Sequence, residues 1–180
     1  MLYNITDMKI LFLGVPGSGK STQGQIIANE YNFDWISTGE LLRASDNPEI
    51  KEILKTAKLV DDEIVIGLAL ENIMGKQKII LDGFPRNLAQ AEALVAADEV
   101  PEYALEIMVP LDELLGRMRL RGRDQDTDEI VRERVRLYET SRDEILNYLT
   151  EHGMILKRVD GVGTIEEITD RIKNELKEVL

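Results

Sequence analysis

The chain has 180 residues, enough for one well-packed α/β domain, and its hydrophobic fraction of 43% is ordinary for a globular fold. It has no cysteine and one histidine, which excludes disulfides, thiolate metal sites and histidine-cluster metal sites. A formal net charge of −12 argues against a nucleic-acid or membrane partner. With no apolar run of membrane-spanning length and no signal-peptide pattern at the first residues, we expect a soluble, cytoplasmic protein.

Five short apolar runs predict strands, over residues 9–13, 33–36, 78–81, 104–109 and 154–159. Runs that are apolar almost throughout are typical of parallel strands covered on both faces. Helical patterns separate them, over residues 22–30, 40–44, 48–55, 61–74, 88–97, 111–120, 128–152 and 164–180. This alternation predicts a single α/β domain over residues 1–180, with a five-stranded parallel sheet and helices on both faces.

The first predicted strand runs into a glycine-rich loop, Gly-Val-Pro-Gly-Ser-Gly-Lys-Ser, that opens the first helix. This is the context of a P-loop, in which small residues let successive backbone N–H groups surround a phosphate and the helix adds its positive dipole end. Lys20 supplies an ammonium for the outer phosphates, and Ser21 or Thr22 offers a hydroxyl to Mg²⁺. The loop therefore predicts a nucleoside triphosphate site made by Gly14, Pro16, Gly17, Ser18, Gly19, Lys20, Ser21 and Thr22.

Polar side chains also follow the second and third predicted strands, at the sheet edge where ligands bind in doubly wound folds. Thr38 and Arg43 follow the second strand, and Asp82 and Arg86 follow the third. An aspartate at the end of an apolar strand beside a P-loop places a carboxylate near Mg²⁺ and its water shell. Each arginine brings a forked, permanently charged donor that suits a phosphate. We therefore expect Thr38, Asp82 and the P-loop to converge on one cleft.

These motifs, in this order, resemble those of the adenylate kinase family of nucleoside monophosphate kinases, over nearly the whole chain from Lys9 onward. The resemblance implies a P-loop nucleoside triphosphate hydrolase-type fold. It also implies a monomeric enzyme that transfers a phosphoryl group reversibly from ATP·Mg²⁺ to AMP, giving two ADP. Two excursions from the sheet are expected, a monophosphate-binding segment over residues 37–66 and a minimal lid over residues 120–127.

The same resemblance implies roles for individual residues. Arg43 and Arg86 would clamp the acceptor phosphate, and Arg117 would pack on the adenine of ATP. The implied catalytic residues are Lys20, Arg86, Arg121, Arg123 and Arg134. Arg117 and Arg121 would join the P-loop in binding ATP, and AMP would contact Thr38, Arg43, Arg86, Gln90, Arg123 and Arg134. Ser21 and Asp82 would contact Mg²⁺, directly or through water, and for Arg119, Arg132 and Arg136 an exposed helix face is the simplest interpretation.

A general base is not required for this reaction. A monophosphate acceptor is mostly dianionic at neutral pH, because its second pKa is about 6, and it is already a nucleophile. Catalysis then consists of alignment and charge neutralisation. A site with arginines, one lysine and Mg²⁺, but without histidine or cysteine, is chemically sufficient.

The acceptor base is the finer question. Thr38 resembles the adenylate-specific members of the family, since pyrimidine-specific relatives tend to have alanine at that position. Gln90 resembles the residue that hydrogen-bonds the adenine edge of AMP, and a side-chain amide suits an edge with one donor and one acceptor. Asn87 points the other way, because pyrimidine kinases often have asparagine directly after the Gly-Phe-Pro-Arg stretch. Thr38 and Gln90 together favour AMP.

Three segments depart from the family pattern. Ser21 replaces a glycine, and we hypothesise that its hydroxyl adds a direct or water-mediated Mg²⁺ contact. Asp61 replaces a proline in a segment that normally touches the AMP base through its backbone. The lid is very short, since only Gly122 separates two arginines, and Gln125 replaces the first of two acidic residues, so that only Asp126 matches. Because a lid excludes water, we expect measurable ATP hydrolysis without an acceptor.

Other functions remain open at this stage, as does the choice between ATP and GTP as donor. CMP, UMP or another monophosphate as acceptor keeps the same chemistry, and Asn87 and Asp61 favour it. A small metabolite kinase is a second alternative, although the motifs after the second and third strands argue against it. A nucleotide-binding sensor with little turnover is a third, supported only by the short lid and the lost acidic residue.

Overall fold

The computed structural model describes residues 8–55, 60–122 and 127–180, apart from the side chain of Arg121. Within these ranges, five parallel strands form one sheet in the order β2-β3-β1-β4-β5. The strands are β1 (Met8–Leu13), β2 (Asp34–Ser37), β3 (Lys78–Asp82), β4 (Tyr103–Met108) and β5 (Ile155–Asp160). The predicted α/β fold is confirmed, and each strand lies within two residues of its expected bounds.

The described residues also form eight helices: α1 (Lys20–Tyr31), α2 (Thr38–Ala44), α3 (Pro48–Ile53), α4 (Asp62–Ile73), α5 (Leu88–Ala96), α6 (Leu111–Arg121), α7 (Asp128–Glu151) and α8 (Ile165–Leu176). None of them is both long and apolar enough to cross a bilayer. Two site helices begin two residues earlier than predicted, α1 at Lys20 rather than at residue 22 and α2 at Thr38 rather than at residue 40. Gly39 has a low helix propensity and suggested a later start, but Ser37 is in the extended conformation of an N-cap and the helix begins directly after it.

The sheet separates two layers of apolar side chains, because successive strand residues point to opposite faces. Leu11 and Leu81 pack on one face against α4, α5 and α7, whereas Phe12 and Ile80 pack on the other against α1 and α8. All four side chains are exposed by 1% or less. Helices therefore cover both faces, as predicted, and the polar edge at the carboxyl ends of the strands remains for a ligand.

Glu106 of β4 is a charged side chain within the sheet and is only 1% exposed. It accepts hydrogen bonds from the Tyr138 hydroxyl at 2.9 Å and from Arg142 Nη2 at 2.7 Å, both on α7. Arg158, its register neighbour on β5, donates from Nε at 3.1 Å. This network ties α7, which carries Arg134, to the centre of the sheet.

The carboxyl ends of β1, β2 and β3 lie level with one another. Asp82, the last residue of β3, pairs in register with Phe12 on one side and with Ser37 on the other. The P-loop follows β1, and Thr38 follows β2. The strand order therefore places the P-loop, Asp82 and Thr38 side by side, as the sequence predicts.

Candidate functional site

The loop between β1 and α1 has the backbone of a phosphate-binding loop. Gly14 has a φ of +147°, and a Cβ at that position would lie 2.5 Å from the Ser18 Oγ, so no other residue is accommodated without a shift. Gly19 has a φ of +92° and occupies the N-cap of α1, where no side chain of the described residues accepts a hydrogen bond from the helix. The N–H groups of the first turn thus point out of the helix end toward a ligand, with the positive dipole end behind them.

A cavity of about 300 Å³ lies beside this loop. Its lining includes the P-loop residues Gly17, Gly19, Lys20, Ser21 and Thr22, together with Arg117 of α6 and Gly163 and Ile165 at the start of α8. Gly14, Pro16 and Ser18 belong to the loop but are not part of this lining. Three elements that are far apart in the sequence therefore enclose one space next to the predicted triphosphate site.

Arg117 is held at the edge of that cavity by three acceptors. Its Nη2 donates to the Gly161 carbonyl at 2.8 Å, its Nε donates to Glu113 at 3.0 Å, and its Nη1 lies 3.5 Å from the Ser18 carbonyl. Beneath it, Met118 packs with Val15 of the P-loop in a small apolar cluster. The guanidinium is fixed between the P-loop and the segment after β5, where it can contact a flat group bound in the cavity.

Ser21 and Asp82 meet at the floor of the cleft, because β1 and β3 are neighbours. The Ser21 hydroxyl donates to Asp82 Oδ2 at 2.5 Å. The other carboxylate oxygen, Asp82 Oδ1, is buried and has no hydrogen-bond partner among the described residues. A buried carboxylate oxygen without a donor is costly, and a cation or its coordinated water would satisfy it.

These oxygen atoms suit Mg²⁺. Mg²⁺ usually takes one or two protein carboxylates and keeps several waters and phosphate oxygens, rather than a dedicated protein cage. The described residues contain no cluster of three or more histidine, aspartate or glutamate side chains that could hold an ion. The unpaired Asp82 oxygen is the observation that makes the site compatible with the metal.

Arg86 lies near Asp82, and its Nε donates to the Gly83 carbonyl at 2.8 Å. Protein atoms surround it in the concave cleft although solvent still reaches it. This partial desolvation lowers the pKa of Arg86, the Asp82 carboxylate opposes the shift, and the nearby charges of Arg134 and Arg43 add to it. The guanidinium nevertheless stays protonated at neutral pH. Arg43 and Arg134, from two other elements, are therefore close enough to Arg86 to repel it, and an anion beside Arg86 would relieve that repulsion.

Thr38 and Arg43 lie at the neighbouring strand end. The Thr38 hydroxyl is buried and donates to the Gly83 carbonyl at 2.9 Å, which joins the start of α2 to the loop after β3. Arg43 is exposed and folds back over Gly39, with its Nη2 3.5 Å from Glu40. This pair is exposed, so the ion pair is weak and Arg43 can exchange Glu40 for a phosphate at little cost.

Gln90 belongs to a hydrogen-bonded group that the sequence did not suggest. Its side-chain oxygen accepts from the Arg86 backbone N–H at 2.8 Å, and its side-chain nitrogen donates to Asp62 Oδ1 at 2.7 Å. Asn87 caps α5 by accepting from the Gln90 N–H at 3.0 Å, and its amide nitrogen donates to both oxygens of Asp62. Asp62 lies in the first turn of α4, where an acidic residue is ordinarily explained by the helix dipole, so no sequence signal marked it.

Several sequence predictions lie wholly or partly outside the described residues. Arg123, Gln125 and Asp126 of the lid are among them, as is the side chain of Arg121. Asp61, by contrast, is described: it is the N-cap of α4 and accepts from the Glu63 N–H at 2.9 Å, which gives this replacement of proline a local function. Arg119 and Arg136 form ion pairs with Asp128 and Glu133 at the surface, in agreement with an exposed helix face.

Comparison with known proteins agrees with this arrangement. The sequence profile of the family described as "Adenylate kinase" matches residues 12–154. A protein named "Adenylate kinase" from Xanthomonas oryzae pv. oryzae is 38% identical, over 94% of this chain and 99% of its own. Proteins of the same name from Thermus thermophilus and Mycobacteroides abscessus are 37% and 36% identical, over 93% and 94% of this chain and 96% and 99% of their own. The chain, with its P-loop beside a group of arginines at one edge of a parallel sheet, belongs to the adenylate kinase family.

Proposed function

We propose that the protein transfers a phosphoryl group reversibly from ATP to AMP and forms two ADP, with Mg²⁺ as cofactor. The observation that carries the proposal is the convergence, along one sheet edge, of two different anion sites. The P-loop and its cavity would be the first, and Arg86, with Arg43 and Arg134 near it, would be the second. The Ser21–Asp82 pair lies between them. A triphosphate and a monophosphate bound there would face each other across Asp82.

The donor side would use the residues around the cavity. Backbone N–H groups of the P-loop would bind the phosphates, and Lys20 would follow the transferred group with its mobile ammonium. Arg117 would pack on the adenine of ATP, since its three acceptors hold it at the cavity edge. Asp82 and Ser21 would hold Mg²⁺, directly or through water. When bound, Mg²⁺ would neutralise charge on the donor phosphates.

On the acceptor side, Arg43 and Arg86 would clamp the AMP phosphate. The positive charges of Arg121, Arg123 and Arg134 would neutralise the phosphoryl group during transfer. Thr38 and Gln90 would contact the adenosine part of AMP. Because the AMP phosphate is already dianionic, the arginines have only to align it and lower its repulsion from the donor. Arg86 has the strongest support, because it contacts the Gly83 loop and lies beside Asp82 as well.

We propose that residues 37–66 and 120–127 serve as the monophosphate-binding segment and the minimal lid of the family. Closure of the monophosphate-binding segment and the minimal lid would assemble the arginines and exclude water. The helices α2, α3 and α4 of the first segment pack into the same apolar cluster as one face of the sheet, through Leu42, Ile50 and Val65. Val60, just before α4, belongs to this cluster as well. We also propose that the protein is cytoplasmic and acts as a monomer. Light scattering in solution would test the monomer, by comparing the measured mass with the chain mass of 20.4 kDa.

A coupled assay with Mg·ATP and each of AMP, CMP, UMP and GMP in turn tests the proposal, with acceptor-free ATP as background. We expect fast transfer to AMP and much slower transfer to the other three. A preference for CMP or UMP would agree with phosphoryl transfer to a nucleoside monophosphate but would refute AMP as the acceptor. No transfer to any of them would overturn the reaction itself and favour a nucleotide-binding sensor or a metabolite kinase.

A further inference from the structure

Gln90 is only 1% exposed, and its amide is fixed by two partners of opposite chemistry. The Asp62 carboxylate can only accept, so it must face the side-chain nitrogen, at 2.7 Å. The Arg86 backbone N–H can only donate, so it must face the side-chain oxygen, at 2.8 Å. A rotation of the amide by 180° would break both hydrogen bonds and place like charges against each other. The orientation of this amide is therefore determined by its surroundings.

Asp62 is itself held in place. Asn87 donates from its amide nitrogen to both carboxylate oxygens, at 2.9 and 3.0 Å. The orientation of Asn87 is fixed in turn, because its oxygen accepts the Gln90 backbone N–H and caps α5. Three side chains from α4 and the start of α5 thus form one connected set of hydrogen bonds that fixes the orientation of each amide.

One N–H and one oxygen lone pair of the Gln90 amide remain after these contacts, since an amide offers two of each. Adenine and cytosine present an exocyclic amino donor next to a ring-nitrogen acceptor, whereas guanine and uracil present a carbonyl acceptor next to a ring N–H donor. An amide that can rotate matches either pattern by exchanging its oxygen and nitrogen. An amide held in one orientation matches only one of them.

We propose that Asp62 is a positioning residue that holds the Gln90 amide in the orientation that reads amino-substituted bases, and thereby rejects the keto bases guanine and uracil. Asn87 supports it by anchoring the carboxylate. This inference rests on the proposed function, because it takes Gln90 to contact the acceptor base. It adds a determinant 28 residues away in sequence from the amide that it orients.

The test replaces Asp62 with asparagine and measures kcat/KM with AMP, CMP, GMP and UMP at saturating Mg·ATP. Asparagine can donate as well as accept, so it permits either orientation of the Gln90 amide. We expect the ratio of kcat/KM for AMP to that for GMP, and the same ratio for CMP and UMP, to fall by about tenfold or more. The charged carboxylate stabilises only one orientation of the Gln90 amide by a hydrogen bond, and asparagine removes that preference. The change should appear in the KM for the acceptor, and the KM for Mg·ATP should stay the same.

Glu63→Gln is the matched control, because it removes the same charge from the same helical turn at an exposed position. It should keep the base ratios of the unaltered protein. A parallel loss with all four acceptors in Asp62→Asn, or unchanged ratios, would mean that Asp62 supports the fold only and would overturn the inference.

Asn87→Ser provides a second route if Asp62→Asn fails to fold. Serine keeps an N-cap for α5 but removes both hydrogen bonds to Asp62, so a smaller shift in the same direction is expected. Unchanged ratios in this variant would overturn the inference. The two proposals fail in different experiments. If the unaltered protein transfers no phosphoryl group, the proposed function is wrong. If it transfers rapidly to AMP and Asp62→Asn leaves the kcat/KM ratios between acceptors unchanged, only the role of Asp62 is wrong.

Discussion

Replacement of Glu106 with glutamine tests how strongly one buried carboxylate holds α7 to the sheet. Glu106 is 1% exposed and accepts hydrogen bonds from Arg142, Tyr138 and Arg158. Glutamine keeps the size of the side chain. It removes the negative charge, however, and turns one acceptor oxygen into a nitrogen that only donates, opposite groups that also donate.

The expected magnitude follows from the exposure of the partners. Removal of one member of a fully buried ion pair costs about 3–5 kcal/mol, because the other charge is left without a partner. Here the Arg142 side chain is 20% exposed and that of Arg158 is 55% exposed, so water hydrates part of the remaining charge. We therefore expect a loss of about 2–3 kcal/mol in the free energy of unfolding. For a domain of this size, that lowers Tm by about 4–12 °C.

The pH dependence provides an independent check. Burial alone would raise the pKa of Glu106, but the hydrogen bonds from Arg142 and Tyr138 outweigh it and hold the pKa below its ordinary value. A lowered folded-state pKa means that the unfolded state binds the proton more tightly, so the stabilisation is complete above the unfolded pKa of about 4.3 and is lost as the pH falls through the folded value. The difference in the free energy of unfolding between the unaltered protein and Glu106→Gln should be constant above about pH 5 and shrink in more acidic solution.

Urea denaturation followed by circular dichroism, repeated at several pH values, measures both the loss in the free energy of unfolding and its pH dependence. Arg158→Gln is the control, because its exposed guanidinium should contribute less than about 1 kcal/mol. If Glu106→Gln lost less than about 0.5 kcal/mol, or if its effect did not change between pH 7 and pH 4, the carboxylate would not be the anchor of α7 that its hydrogen bonds indicate.

Three further predictions concern the site. Arg86→Lys should lower kcat/KM for AMP by about 10²-fold or more, because an ammonium cannot reproduce the fork that contacts both Gly83 and a phosphate; a change below threefold in steady-state kinetics would contradict this. Ser21→Gly should raise the Mg²⁺ concentration needed for half-maximal turnover, since Asp82 loses its donor, and an unchanged Mg²⁺ titration would refute the hypothesis for this hydroxyl. With acceptor omitted, the protein should release ADP from Mg·ATP at a rate that is larger, relative to transfer, than in relatives with longer lids; no detectable ADP would defeat that prediction.

The parts of the fold that the sequence predicts best are those with one dominant local signal. Residues 79–81 are apolar throughout and lie between two covered faces, so the strand could be placed from hydrophobicity alone. The P-loop was placed because its glycines and Lys20 have a required spacing between a strand and a helix. The level ends of β1, β2 and β3 followed from strand direction, which predicted that Thr38 and Asp82 would be neighbours of the loop.

The features that the sequence did not predict depend on contacts between distant residues. Glu106 interrupts an apolar run, and its partners Tyr138, Arg142 and Arg158 lie 32 to 52 residues further on. Asp62 and Gln90 are 28 residues apart, and each has a sufficient local explanation, as a residue of a first helical turn and as a polar residue of a helix. Polar contacts of this kind are specified by packing, and local propensity contains no information about them.

If two nucleotides bind face to face and exchange a phosphoryl group, the reverse reaction must also occur, and it provides the most direct test. Mg·ADP alone, followed by ³¹P nuclear magnetic resonance, supplies both sites with one substrate. We expect ATP and AMP to appear in equal amounts, with no inorganic phosphate beyond the slow hydrolysis expected of a short lid. Failure to form ATP from ADP, or release of phosphate and AMP without ATP, would contradict it.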